Sequence, residues 1–288
     1  MPRAVRGKRS RPRLGQHFLA DLGVVERMVA IIAPVAGERM VEIGPGTGVL
    51  TRPLLKRLGK LHAVELDRTL IQRLLAEFKL ESGLEIHGTD ALQFDYRELA
   101  RSEGGKLRIV GNLPYSISTQ LLLRLIACAD CVIDMVFMLQ KEVAERIVAR
   151  PGTRAYGRLS VLVQYRCAGE LLFYIGADAF TPPPRVNSAV IRLSPKPALL
   201  SEPEERIFRQ LVARAFVSRR KTLRNNFRGL LSENDFEKVS IKADSRPEQL
   251  DLNQFTQLAR ILSANNSCGV SEFDRGADGL QNKIDEAL

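Results

Sequence analysis

Alternating strand and helix patterns predict an α/β fold, with a doubly wound, mostly parallel sheet followed by a small C-terminal all-helical domain. Short apolar segments alternate with helix-like segments from about residue 40 to 140, as in successive βα units. One strand-to-helix junction is rich in glycine, and sheets of this class bind ligands at such junctions. Beyond residue 198, apolar residues recur at helical spacing and the opposite face is basic.

The glycine-rich junction has the sequence Val-Glu-Ile-Gly-Pro-Gly-Thr-Gly at residues 41–48 and precedes a helix-like segment at 49–58. Glycines in this position let the backbone approach a ligand closely. The spacing is Gly-x-Gly-x-Gly, because position 49 is valine, and a dinucleotide fingerprint requires Gly-x-Gly-x-x-Gly. The turn therefore predicts a bound ligand and argues against a dinucleotide.

Two carboxylates follow at the ends of the next two strand patterns. Glu65 ends the strand at 61–65, about 20 residues after the glycine turn, where folds of this kind bind a ribose diol. Asp90 lies just beyond the strand at 84–87, where it can accept a hydrogen bond from the adenine amino group of a bound cofactor. The turn and the two acids together predict a pocket for a nucleoside sulfonium.

Asn112-Leu113-Pro114-Tyr115 ends an apolar strand pattern at 107–111 and predicts a site that methylates a base amine. The exocyclic amine of adenine is a poor nucleophile, because its lone pair is delocalised into the ring. The Asn112 side-chain oxygen and the Pro114 carbonyl can accept hydrogen bonds from that amine and pull its nitrogen toward tetrahedral geometry. Tyr115 offers a face on which an extruded base can stack. Seen alone, the four residues are equally compatible with a strand ending in an Asn-Pro turn.

The rest of the sheet region contains three more strand patterns, at 135–139, 171–175 and 189–193, with a helix-like segment near 156–167. Pro182-Pro183-Pro184 predicts a stiff loop, since consecutive prolines exclude a helix. This loop is expected to carry Phe180 toward the pocket.

Pro195-Lys196-Pro197 is interpreted as a linker to the helical domain. The positions that predict its helices are Ile207, Leu211, Ala215, Leu252, Phe255, Leu258 and Leu262.

The charge is strongly basic and unevenly distributed. A formal net charge of +10 and a pI of about 9.7 suggest a polyanionic partner. Residues 1–13 hold six basic residues and residues 206–228 hold eight, with no acid in either segment. Solvated basic faces are common, but two such segments beside a base-binding motif favour RNA. The predicted contacts to the RNA backbone, within one helix-like segment, are Arg219, Arg220, Lys221 and Arg224.

With these motifs in place, the chain resembles the small-subunit ribosomal RNA adenine N6,N6-dimethyltransferases of the kasugamycin-resistance and Dim types. The resemblance covers about residues 11 to 263 and is carried by residues 14–19, 41–48, 64–67, 111–119, 138–143 and 180–190. It implies a Rossmann-like methyltransferase fold, S-adenosylmethionine as cofactor, and the last strands paired as an antiparallel edge. It also implies dimethylation of two adjacent adenines near the 3′ end of 16S rRNA, coupled to maturation of the small subunit.

The resemblance also implies roles for individual residues. Tyr115 and Phe180 would flank the target base, and His17 stands where many relatives carry asparagine, as does Ser116. An imidazole can still donate or accept one hydrogen bond. The implied catalytic residues are Asn112, Pro114, Tyr115 and Phe180. The implied cofactor contacts are His17, Leu19, Gly44, Gly46, Glu65, Asp90 and Asn112.

No metal site is expected. Cys128 and Cys131 form a C-x-x-C pair, but no second Cys/His pair follows at zinc spacing, so they are interpreted as ordinary, partly buried thiols of a reduced compartment. His62 and His87 lie within strand patterns and are interpreted as packing or surface residues.

The expected organisation is a basic arm (1–13), a methyltransferase domain (14–195), a small helical RNA-binding domain (198–263) and a disordered tail (264–288). We expect a cytoplasmic location, because the arm lacks the apolar region of a secretory signal and no apolar run reaches about 18 residues. We also expect a monomer. The expected partner is the rRNA of an immature small ribosomal subunit.

Two alternatives stay open. Asn-x-Pro-Tyr also occurs in methyltransferases that act on adenine N6 of large-subunit rRNA or of DNA; the proline loop and the basic C-terminal segment favour the small subunit. From another class, the chain could serve chiefly as a ribosome-assembly factor with vestigial chemistry. The intact Asn112-to-Tyr115 motif argues against a loss of activity.

Overall fold

The structure, a computed structural model, describes residues 16–218 and 220–267. In chain order the first elements are β1 (Phe18–Leu19), α1 (Leu22–Ile32), β2 (Met40–Ile43), α2 (Thr51–Leu58), β3 (Leu61–Glu65), α3 (Arg68–Glu77), β4 (Leu84–Gly88), α4 (Tyr96–Ser102), β5 (Leu107–Asn112), α5 (Ser118–Ala127) and β6 (Val132–Gln140). The remaining elements are α6 (Lys141–Ile147), α7 (Arg158–Arg166), β7 (Cys167–Ile175), β8 (Phe180–Thr181), β9 (Ser188–Pro195), α8 (Glu202–Val217), α9 (Leu223–Asn226), α10 (Glu233–Glu237) and α11 (Leu252–Ser267).

The main sheet has seven strands in the order β4-β3-β2-β5-β6-β9-β7. Its first five strands are parallel to one another, and β9 pairs antiparallel with both β6 and β7. The predicted fold class and the antiparallel edge are therefore confirmed. Chain order reverses between β2 and β5, and ligands of doubly wound sheets bind at such a reversal. β1 and β8 form a separate two-stranded sheet.

Alternate residues of the central strands face two different cores, as the pleat of a strand requires. On β5, Ile109 faces the core beneath α4–α7, whereas Val110 faces the core beneath α1–α3. On β6, Phe137 likewise faces the core beneath α4–α7 and Met138 faces the core beneath α1–α3. Both faces are covered, which explains why these strands have continuous apolar sequences rather than alternating ones.

The C-terminal helices extend the core beneath α4–α7 rather than building one of their own. Phe208 of α8 packs against Tyr165 of α7, with ring centroids 4.5 Å apart. Phe255 of α11 lies 6.0 Å from Phe216 of α8. The segment at 195–197 therefore leads from the last strand toward the first C-terminal helix, and the residues on both sides of it belong to one hydrophobic core.

Local sequence fixes where the helices begin and end. The Asp21 side chain accepts hydrogen bonds from the backbone N–H groups of Gly23 and Val24, which caps α1. α2 ends at Gly59, whose φ of 80° is in the left-handed region that glycine adopts without a steric penalty. No helix in the described ranges is long and apolar enough to span a membrane.

Two expectations about the C-terminal part are corrected. α8 ends at Val217, because the chain turns there, so Arg220 and Lys221 lie in a turn and Arg224 lies on α9. These cations do not share one helix. The tail was expected from residue 264, but α11 continues to Ser267. The basic arm at 1–13, Arg219 and residues 268–288 lie outside the described residues.

Candidate active site

The carboxyl ends of β2, β3 and β5 bring the predicted site residues together. Ile43 is paired with Val64 on one side and with Gly111 on the other, so the three residues that follow are neighbours. The Gly44 N–H donates to the Val64 carbonyl oxygen over 3.0 Å. The cleft at this edge has about 530 Å³ of empty space, part of it open to solvent. Its lining includes Gln16, His17, Phe18, Gly44, Gly46, Glu65, Asn112, Pro114 and Tyr115.

The glycine turn keeps its backbone exposed to this cleft. Gly44 and Gly46 have φ angles of 66° and 57°, a conformation that side chains with a Cβ disfavour. A Cβ at Gly46 would lie 3.1 Å from the Phe18 ring, and one at Gly44 would lie 3.4 Å from the Asn112 carbonyl oxygen. The left-handed backbone therefore favours glycine at both positions, and at Gly46 the Phe18 ring also leaves little room for a side chain.

Glu65 presents a largely desolvated carboxylate to the cleft, with 9% of its surface exposed. The backbone N–H groups of Leu66 and Asp67 both donate to its Oε1 over 2.9 Å. Burial raises the pKa of Glu65, and hydrogen bonds from Asp67, Leu66 and Gly46 partly oppose that rise. The side chain is thereby held in one orientation, with its charge weakly hydrated and available to hydroxyl donors.

Asn112 is oriented by the segment that precedes β1. Its amide Nδ2 donates to the His17 carbonyl oxygen over 3.2 Å, which leaves Oδ1 as the acceptor on the cleft side. The Pro114 carbonyl oxygen accepts from the Ile117 N–H over 3.2 Å and keeps its second lone pair. Two acceptors can therefore act on one amine at this point.

Tyr115 is fixed by a residue that sequence reasoning did not identify. Its hydroxyl lies 2.6 Å from Oγ of Ser188, a fully buried residue at the start of β9. Burial raises the pKa of Tyr115, although the bond to Ser188 lowers it in part. Its ring lies 5.7 Å from the His17 imidazole, tilted by 33°. The only sequence signal for Ser188 is its place in the matched segment at 180–190.

We expect Tyr115→Phe and Ser188→Ala each to lower kcat/KM for RNA about tenfold, since a half-buried hydroxyl loses its partner at a cost of about 1–3 kcal/mol. The double variant should be hardly worse than either single one, because both remove the same bond. Steady-state methyl-transfer kinetics on the three variants test this coupling. Strictly multiplicative losses would show that Ser188 does not act through Tyr115.

The two-stranded sheet of β1 and β8 borders the cleft, which Phe18 of β1 lines. Leu19 pairs with Phe180 and Phe18 pairs with Thr181, which ties the N-terminal segment to the proline loop. The His17 Nδ1 lies 2.8 Å from the Pro182 carbonyl oxygen and strengthens this connection. Leu19 is buried and lines a second pocket, which adjoins the cleft and shares Phe18, Gly44, Gly46 and Asn112 with it.

Two predicted residues line neither the cleft nor the pocket that adjoins it. Phe180 is 2% exposed and belongs to the core beneath α1–α3, so its role against the target base stays a prediction. The Asp90 Oδ1 accepts from the Leu92 N–H over 2.9 Å and shapes the turn after β4. Its contact with the adenine of a cofactor likewise stays a prediction.

Glu42 is a second carboxylate at the site that sequence reasoning missed. It is 2% exposed on β2, lines the pocket that adjoins the cleft, and accepts a 2.7 Å hydrogen bond from the Thr51 hydroxyl. Burial raises its pKa to about 7, Thr51 opposes that rise, and the charge of Glu65 adds to it. The available signal was an acid inside a strand that is otherwise apolar, Met-Val-Glu-Ile at 40–43.

Known proteins resemble this chain over nearly its whole length. A family model described as ribosomal RNA adenine dimethylase matches residues 7–264. The "Ribosomal RNA small subunit methyltransferase A" of Alcanivorax borkumensis is 49% identical over 255 residues, which span 88% of this chain and 90% of that protein. The protein of the same name from Pseudomonas aeruginosa is 48% identical over 260 residues, with 88% and 95% covered.

Solved structures agree with the sequence comparisons. A dimethyladenosine transferase from Plasmodium falciparum superposes with a TM-score of 0.76 and is 25% identical in sequence. The superposition spans 87% of this chain and 98% of the Plasmodium chain. The 23S rRNA methyltransferase ErmE shares the fold, with a TM-score of 0.65 at 20% identity and with 85% and 99% covered. The chain belongs to the ribosomal RNA adenine dimethylase family.

Proposed function

We propose that this S-adenosylmethionine-dependent rRNA methyltransferase places two methyl groups on N6 of each of two adjacent adenines near the 3′ end of 16S rRNA, in an immature small subunit. The observation that carries the proposal is the shared cleft, where the Asn112 amide and the Tyr115 ring lie beside Glu65 and the glycine turn. A ribosomal substrate also supports a cytoplasmic site of action.

The residues of the cleft fit the cofactor. A desolvated carboxylate suits the two hydroxyl donors of a ribose, and a turn without side chains admits a nucleoside at close range. When bound, S-adenosylmethionine supplies an activated methyl group on a positively charged sulfur. Glu65 would bind the ribose, and the backbone at Gly44 and Gly46 would border the nucleoside.

The protein residues act on the acceptor base mainly by positioning. In the first transfer, Asn112 Oδ1 and the Pro114 carbonyl oxygen each accept a hydrogen bond from one N–H of the adenine amine, which directs its lone pair toward the cofactor. In the second, the remaining N–H donates to one of these two acceptors. Tyr115 holds the ring by stacking, at about 1–3 kcal/mol per base. Alignment of two reacting groups in this way supplies much of the rate acceleration, and the amine proton leaves to solvent after transfer.

A methyl-transfer assay with a radiolabelled donor tests the substrate. Separated small and large subunits, immature small subunits and double-stranded DNA are compared, and the modified nucleotides are then mapped. We expect label only in small subunits, most in immature ones, as N6,N6-dimethyladenine at two neighbouring positions. Label in large subunits or DNA would instead support the other adenine methyltransferases, and no transfer at all would support an assembly factor.

We further propose that basic residues around the start of α9 bind the RNA backbone. Arg220 and Lys221 are both exposed in the turn after α8. Arg224 is also half exposed, but its guanidinium lies 2.8 Å from Glu233 and 3.6 Å from Asp244. The segment at 206–228 contains no acid, but the fold brings acids from outside it next to Arg224. The charge of Arg224 is therefore partly neutralised by these neighbours.

Replacing both Arg220 and Lys221 with alanine should flatten the slope of log affinity against log salt by up to about 2, since each phosphate contact on a duplex contributes roughly 0.9. Arg224→Ala should change that slope less, because its charge is already partly neutralised. Filter binding of immature subunits at several salt concentrations measures both slopes, with S-adenosylmethionine affinity as the control. An unchanged slope in the double variant would confine this turn to a solvated role.

A further inference from the structure

A compact group of histidines and acids lies on β3 and β4, at the edge of the sheet. His62 of β3 is paired directly with Glu85 of β4, and His87 of β4 is paired with Val64, two residues farther along. Because side chains alternate along a strand, His62, Glu85 and His87 point to the same face. Glu65 of the active-site cleft is three residues beyond His62 and faces the other way. The group is therefore separate from the cleft, at about 10 Å along the strand.

The nitrogen and oxygen atoms of this group converge on one point. The His62 Nδ1 lies 3.0 Å from the His87 Nε2 and 3.4 Å from the Glu85 Oε2. One such atom from each residue lies within 4.8 Å of the others. Ligands bound tetrahedrally to zinc at about 2.0–2.1 Å are roughly 3.3 Å apart. The distance from the His62 Nδ1 to the Glu85 Oε2 already matches this value. The His62 Nδ1 and the His87 Nε2 would need to move apart by about 0.3 Å.

The other nitrogen of His62 is also suited to a ligand. The ring is 1% exposed, and its Nε2 has no aligned hydrogen bond among the described residues, yet it lies 3.4 Å from the Glu103 Oε1. A carboxylate on that side favours the proton on Nε2 and leaves the Nδ1 lone pair directed at His87 and Glu85. Histidines that bind metals are commonly oriented by a carboxylate in this way.

The charges around the group favour a cation. The Lys60 ammonium lies 2.8 Å from the Glu103 Oε1 and 3.2 Å from the Glu85 Oε1. One positive and two negative side chains therefore surround the two imidazoles, and the Glu85 Oε2 still lies beside His62. The Glu85 side chain is 51% exposed, so an ion can enter from solvent. Phe94 packs on the His87 ring, with centroids 4.9 Å apart, and restricts its orientation.

We propose that His62, Glu85 and His87 bind one divalent transition-metal cation of the zinc class, with solvent as the remaining ligand. Two imidazoles and one carboxylate are a ligand set that zinc accepts. The ion would join β4, the edge strand, to β3. This assignment replaces the interpretation of both histidines as packing or surface residues.

The test uses the full-length chain without an affinity tag, titrated with Zn²⁺ in competition with a chromophoric chelator. We expect one ion per chain, visible absorption typical of four-coordinate Co²⁺ when cobalt is used, and a higher Tm with Zn²⁺. His87→Ala should weaken zinc binding at least about 100-fold and abolish the rise in Tm. Glu103→Gln, which removes the carboxylate that orients His62 and pairs with Lys60, should weaken binding about 10–100-fold.

Matched controls separate this site from other zinc ligands of the chain. His17→Ala removes an imidazole elsewhere and Cys131→Ser removes a thiol, and both should bind zinc as the wild type does. His87 is only partly buried, so with chelator present its alanine variant should unfold at the same Tm as the wild type. An equal Tm would show that the variant folds. The proposal is overturned if the wild type binds no stoichiometric zinc, if His87→Ala retains the binding, or if either control loses it.

Discussion

Asn112→Ala is expected to lower the turnover number of methyl transfer about 100- to 1000-fold, with a change of less than about threefold in affinity for RNA. The asparagine oxygen is proposed to act on the amine nitrogen as it becomes tetrahedral, so its interaction is stronger in the transition state than in the bound substrate. Removing one preorganised polar group of this kind typically costs a factor of this size. Single-turnover kinetics with saturating cofactor measure the chemical step directly.

Two companion variants make that result specific. Asn112→Asp keeps an acceptor oxygen but loses the Nδ2 donor to the His17 carbonyl, so we expect a turnover between those of the wild type and the alanine variant. Asn253→Ala removes an exposed asparagine of α11 and should have no effect. A near-normal chemical step in Asn112→Ala, with cofactor affinity also unchanged, would exclude the proposed orientation of the amine.

The elements that position the site could be predicted because their signals are local. Each of the three strands is mostly apolar and buried on both faces, with one polar side chain inside it, and each ends at a glycine, an acid or an asparagine. Parallel pairing then brings residues 44, 65 and 112 to one edge without further information. A pattern of strand ends therefore predicts a site, as long as the ligands come from those ends.

Contacts between distant parts of the chain had no such signal. The bond between Tyr115 and Ser188 joins residues 73 positions apart, and the pairing of Leu19 with Phe180 joins the N-terminal segment to the proline loop. Arg224 illustrates the same limit for charge, because its acidic neighbours are Glu233 and Asp244, outside the segment that lacks acids. The burial of a residue and the charges around it depend on the packed structure. They can be predicted from sequence only where packing repeats with the period of a helix or a strand.

Glu65→Gln is expected to weaken S-adenosylmethionine binding about 100- to 10,000-fold and to leave the fold intact. The carboxylate is proposed to accept two ribose hydroxyls, and charge-assisted hydrogen bonds contribute roughly 1.5–3 kcal/mol each. Glutamine is the sharper substitution than alanine, since its Oε1 can still accept from the N–H groups of Leu66 and Asp67 and preserve the turn. Isothermal titration calorimetry gives the affinity, and Glu77→Gln on the surface of α3 serves as the matched control.

The same variant should also change the pH dependence of cofactor binding. Burial raises the pKa of Glu65, so acidification should protonate it at a higher pH than an ordinary glutamate, remove an acceptor and weaken binding by the wild type. Glu65→Gln should lose that part of the dependence. A dependence that it retains comes from other groups of the site, such as Glu42, whose pKa is raised to about 7 by burial and, in the wild type, also by the charge of Glu65. Unchanged affinity in Glu65→Gln, at every pH, would remove Glu65 from the cofactor site and leave the glycine turn without its proposed partner.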